Sequence, residues 1–103
     1  MEWLIANGIP EAQTYAAQLD HLRVVGRCGC GCPTVDLAFG DSQHNTTGPS
    51  HILADCVGVT PEGIEVGIML HAREDKISEL EIYSLAGCEH PFGLPRIETL
   101  KQF

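Results

Sequence analysis

The feature that most constrains this chain is a period-two alternation, punctuated by turn signals, across its second half. Ile64, Val66, Ile68 and Leu70 recur at every second position. Leu80 and Ile82 resume the pattern after the charged stretch Arg73-Glu74-Asp75-Lys76. Successive side chains point to opposite faces only in an extended strand, so each run offers one apolar face to a core. Thr60-Pro61-Glu62-Gly63 precedes the first run. It is a turn signature, because proline presets φ and glycine supplies a left-handed residue. Strands are expected over residues 52–59, 64–71 and 77–83, joined as an antiparallel meander with the charged stretch at a hairpin tip. Glu79 and Glu81 fall on the outward face of the last strand.

The first half adds two strands and a helix. Residues 22–27 carry the β-branched pair Val24 and Val25, while Val35, Leu37 and Phe39 alternate with Thr34, Asp36 and Ala38. These runs read as a hairpin. Pro10 suits the first turn of a helix over residues 10–20, and Glu11 suits its positive end. Ala12, Tyr15, Ala16 and Leu19 form one apolar stripe at helical spacing, with Gln13, Gln18 and Asp20 off it. Residues 2–6 suit a short helix ended by Asn7-Gly8. Residues 40–51 are polar and read as a long exposed loop, and residues 95–101 read as a short helix after a turn-rich tail. The fold class expected is α+β: an N-terminal helix, or two short helices, packed on a five-stranded, mostly antiparallel sheet. The expected core comprises Trp3, Tyr15, Leu19, Val25, Val35, Leu37, Phe39, Val57, Val66, Ile68, Leu80 and Ile82.

A chain of 103 residues reads as one small globular domain, residues 1–103. Such a length builds a core without disulfides or metals. The net charge of −8 opposes phosphate backbones and anionic lipid surfaces. The six Lys and Arg are scattered, so neither nucleic acid nor membrane is an expected partner. No apolar run approaches the ~20 residues that span a bilayer, and the N-terminus lacks a basic region and a long apolar run. A cytoplasmic location with reduced thiols follows as the expectation, and five cysteines cannot all pair with one another.

The sharpest chemical signal is the cysteine-rich loop Cys28-Gly29-Cys30-Gly31-Cys32-Pro33. Alternate residues of a strand stand roughly 6.6 Å apart, too far to share one ion. Glycine permits the backbone to curl until thiolates converge at about 2.3 Å from a metal. A closed tetrahedral site needs a fourth ligand. Cys88 and His90, spaced Cys-x-His, are the best candidates, followed by Cys56. The metal-site candidates are therefore Cys28, Cys30, Cys32, Cys88 and His90, and thiolates favour zinc, Cu⁺ or an iron–sulfur cluster as the cofactor. The competing reading makes the cysteines small apolar packers, and Cys56, mid-strand, reads as a core residue. His44 and His51 flank the polar loop with Asp41, a set that offers a weak metal or ligand pocket, but a solvated loop is the better reading. No Ser-His-Asp set, phosphate-binding glycine loop or dinucleotide fingerprint is legible, and no catalytic residue is assigned.

Leu80-Glu81-Ile82-Tyr83-Ser84-Leu85-Ala86-Gly87, Pro91-Phe92-Gly93-Leu94-Pro95 and Val25-Gly26-Arg27-Cys28 resemble stretches of short bacterial proteins of uncharacterised function. The resemblance is scattered. It implies a stand-alone small domain and carries no activity, substrate or cofactor.

Three functions follow as expectations. The first is a small acidic non-enzymatic interaction or structural protein, homo-oligomeric through an apolar sheet face, with a homodimer as the simplest form. The second is a thiolate metal-binding protein. The third is a cysteine-dependent redox or hydrolytic enzyme, which needs an exposed thiol of lowered pKa.

Overall fold

The computed structural model describes residues 2–27, 33–40, 49–85 and 93–102. The chain begins with helix α1 (Glu2–Asn7) and a long 3₁₀ helix (Pro10–His21). Strands β1 (Leu22–Arg27), β2 (Val35–Phe39), β3 (His51–Val59), β4 (Glu65–Arg73) and β5 (Lys76–Ser84) follow. A 3₁₀ turn (Ile97–Thr99) then leads to the short strand β6 (Lys101–Gln102). The sheet has the order β1-β2-β5-β4-β3-β6, and every pairing is antiparallel. The α+β class with an antiparallel sheet is therefore observed, with six strands instead of five.

Of the helix expected over residues 95–101, the 3₁₀ turn Ile97–Thr99 forms, and the sixth strand begins at Lys101. Val59 captures the tail: Arg96 N–H donates to Val59 O at 2.9 Å, and Val59 N–H donates to Thr99 Oγ1 at 2.9 Å. Helical turns are thereby limited to Ile97–Thr99, and the chain continues along the edge of β3, with Cys56 opposite Gln102 and Val57 opposite Lys101. The tail approaches closely because Gly58 has no side chain. A Cβ there would lie 2.8 Å from Leu100 Cδ2 and 3.0 Å from Pro95 Cβ.

The meander and the β1–β2 hairpin form as expected, and the register defines two faces. Ile68, Leu70, Leu80, Ile82, Val35, Leu37 and Cys56 share one, because directly opposed residues of antiparallel strands project together. This face meets α1 and the 3₁₀ helix, whose Leu4, Ile5 and Ala12 complete the buried core with Leu53, Val66, Ala72 and Ile77. Val25 is a correction: it is 42% exposed. The β1–β2 register shifts between Val24 and Gly26, so Val25 is the extra residue of a bulge on an edge strand.

The 3₁₀ geometry revises the predicted helical stripe. With three residues per turn, residues 12, 15 and 18 align. Ala12 is buried and Tyr15 and Gln18 half-buried, whereas Ala16 is exposed. Gln18, expected off the stripe, ties the helix to the β4–β5 turn. Its Nε2 donates to Asp75 O at 2.8 Å, and its Oε1 accepts from Ile77 N–H at 2.9 Å. Among the described residues no helix is long and apolar enough to cross a membrane.

Candidate functional site

All five metal-ligand candidates, Cys28, Cys30, Cys32, Cys88 and His90, lie outside the described residues, as do Asp41 and His44 of the polar loop. Among the described residues no group of three or more His, Cys, Asp or Glu side chains is placed to hold a metal ion. Cys56 is buried in the core as expected. Its thiol is pushed up to about 11 by burial first and the Asp55 carboxylate second. A thiol held protonated is neither a nucleophile nor a ready ligand. His51 opens β3, where its Nε2 lies 3.1 Å from Glu11 Oε2 on an exposed surface.

The described residues form a cleft of about 870 Å³ on the helix-covered face. Its floor is sheet: Ile68 from β4 with Leu80 and Ile82 from β5. One wall is helical, with Trp3, Leu4, Ala6 and Asn7 of α1 and Leu19 and Asp20 of the 3₁₀ helix. The other wall is the tail: Leu94, Pro95, Ile97 and Leu100. Local bonds fix the helical wall. Asn7 Nδ2 donates to Trp3 O at 2.9 Å across one turn of α1, and Gln102 Nε2 donates to Asn7 O at 2.9 Å. Gly8 seats α1 on β3, since a Cβ there would run into Leu53 O and lie 2.8 Å from Leu4 O. The tail presents Leu94 and Ile97, which are 59% and 70% exposed. Among the described residues, Asp20 is the one charged residue of the lining.

The opposite face is polar and acidic. Glu79 stands opposite Asp36 on one side and His71 on the other. Glu81 and Asp55 flank Met69 in the neighbouring row. His71, at the end of the strand expected over residues 64–71, is buried and bonded at both ring nitrogens. Its Nε2 lies 2.9 Å from Glu81 Oε1 and its Nδ1 lies 2.7 Å from Ser50 Oγ. An ionised carboxylate only accepts, so Nε2 carries the imidazole proton. Nδ1 is then free to accept from the Ser50 hydroxyl. Sequence reasoning missed this group because Ser50, His71 and Glu81 come from three separate places in the chain. Only the register joins them.

In comparison with known proteins, no family model, no curated protein sequence and no solved structure matches the chain.

Proposed function

We propose that this is a small binding protein whose cleft takes up one apolar molecule with a neutral or cationic head. The observation that carries this reading is the cleft itself, about 870 Å³, walled by apolar side chains from two helices, two strands and the tail. That volume falls within the roughly 300–1,000 Å³ of small-molecule sites. Leu94 and Ile97, exposed at its tail wall, gain burial when it fills. Asp20 and the net charge of −8 select against anionic ligands such as fatty acids. Among the described residues, the lining offers Asn7 and Asp20 as its polar side chains, which suits recognition of a polar or cationic head.

The test is a comparison of probes of similar size. Dansylcadaverine, a cation, should bind at one equivalent and at least about tenfold more tightly than the anion 1-anilinonaphthalene-8-sulfonate. Asp20→Asn should narrow that ratio, and Ile97→Asp, on an exposed side chain, should weaken both probes without unfolding the protein. Equal, weak, non-saturating binding of both probes would remove the reading.

A second reading, a thiolate zinc site, has its own support. Thr34 follows the Cys28–Cys32 stretch and is bonded to Ile82 of β5, whose continuation leads to Cys88 and His90. Arg27, Thr34 and Ser84, the described residues nearest the two cysteine-bearing segments in the chain, thus lie toward the same end of the sheet. Elemental analysis of protein purified without chelator, and again after Cys30→Ser, decides it: near-stoichiometric zinc that the substitution abolishes supports the site. Self-association is a separate proposal, read from sedimentation equilibrium. Asp55, Glu79 and Glu81 would oppose like charges if the acidic face were its contact.

A further inference from the structure

We infer that Ser50, His71 and Glu81 form a hydrolytic site on the acidic face, separate from the cleft, that cleaves activated esters with neutral or cationic acyl groups. The three side chains have the relation that makes a hydroxyl nucleophilic: a base on the hydroxyl and a third group orienting the base. Ser50 Oγ is 2.7 Å from His71 Nδ1, and His71 Nε2 is 2.9 Å from Glu81 Oε1. His71 is 9% exposed, so its ring is held, whereas Ser50 is exposed and open to a substrate. The nitrogens are used in the reverse of the commonest order, serine on Nδ1 and carboxylate on Nε2, which leaves the proton path unchanged.

In the acylation step the Ser50 Oγ–H proton passes to His71 Nδ1 as Oγ bonds to the ester carbonyl carbon. The carbon–alkoxy bond breaks, and the leaving oxygen takes the proton from His71. Water then gives a proton to His71 and attacks the acyl carbon. This releases the carboxylic acid and returns the proton to Ser50. Glu81 is a positioning residue: it fixes the ring and stabilises the imidazolium formed in each half. The groups facing His71 set selectivity. Glu79 is directly opposite on β5, with Asp36 beyond it on β2. Ile52 is opposite on β3, and Asp55 lies in the next row. This ring of carboxylates repels anionic esters.

The experiment pairs fluorophosphonate labelling with hydrolysis of 4-nitrophenyl acetate by wild type, Ser50→Ala, His71→Ala and Glu81→Gln. The expected result is one equivalent of label on Ser50, located by peptide mass spectrometry and absent from Ser50→Ala. Hydrolysis should fall at least about a hundredfold in Ser50→Ala. Glu81→Gln should keep the label slowly and lose about tenfold or more in kcat with KM unchanged, the split expected when a positioning residue is lost while the binding surface is kept. Label on another residue, no label, or Ser50→Ala at the wild-type rate would each overturn the assignment. The same is true if activity is lost only with His71→Ala, since the imidazole itself would then be the nucleophile.

Discussion

The ring of Tyr83 lies across Gly67, its cross-strand partner on the acidic face, so closely that a Cβ on Gly67 would run into the ring's Cζ, Cε2 and hydroxyl. The glycine on β4 is there for the aromatic on β5. The pair covers a stretch of backbone that would otherwise face water. Gly67→Ala should destabilise by roughly 1–3 kcal/mol through overpacking. In a Tyr83→Ala background the same change should cost almost nothing. A double-mutant cycle by urea denaturation checks this, and two additive costs would show that the contact is incidental.

The β4–β5 turn stores removable strain. Glu74 and Asp75 adopt positive φ, 50° and 65°, between the paired ends Arg73 and Lys76. A two-residue hairpin of this hand favours Asn-Gly. Replacing the pair as Glu74→Asn with Asp75→Gly should raise stability by roughly 0.5–1 kcal/mol, visible as a higher urea midpoint at unchanged slope. Gln18→Ala should act oppositely, because the Ile77 N–H and the Asp75 carbonyl both lose their partner.

One hydroxyl carries both sides of a backbone pairing at the end of β2. Thr34 Oγ1 donates to Ile82 O at 2.9 Å and accepts from Ile82 N–H at 2.8 Å. Thr34→Val keeps the shape and strands both groups, a loss of roughly 1–3 kcal/mol. Thr34→Ser should stay close to wild type. Thermal or urea unfolding of the two variants separates hydroxyl from shape.

Alkaline stability should track Cys56. The folded thiol ionises near 11 and the unfolded one near 9.0, so above pH 9 the unfolded chain loses its proton first. The stabilisation is complete below pH 9 and disappears as pH rises through 11. Burial and nearby carboxylates also raise the phenols of Tyr15 and Tyr83, which add in the same direction above pH 10. Urea midpoints measured between pH 8 and 11 should fall, and Cys56→Ala should flatten the first part of that decline.

The alternation of Val66, Ile68, Leu70, Leu80 and Ile82 made the sheet and its buried face readable, because period two has one structural meaning. The bulges were not readable. A two-residue turn at Glu74-Asp75 with regular pairing would set His71 opposite Ser78. The register shift after His71 moves it to Glu79 and brings Leu70 opposite Leu80. That single slip aligns the core and delivers Glu81 to His71. The same kind of shift exposes Val25. The helix expected over residues 95–101 forms only as the 3₁₀ turn Ile97–Thr99, because the bonds to Val59 hold the tail beside β3 and Lys101 already belongs to an edge strand. The cleft had no sequence signal: Trp3, Leu80 and Ile97 are ordinary apolar residues until the chain brings them together.

The cleft also contains the means of its own test. Trp3 is the one tryptophan of the chain and lines the cleft. A dansyl group bound there lies beside it and must receive its excitation energy. Titrating the protein with dansylcadaverine, exciting tryptophan and reading both emissions tests the binding reading directly. Trp3 emission should fall with a matching gain of dansyl emission, saturate at one equivalent, and respond more weakly after Ile97→Asp. Unchanged Trp3 emission at concentrations where the probe is bound would place the ligand elsewhere and contradict the binding reading.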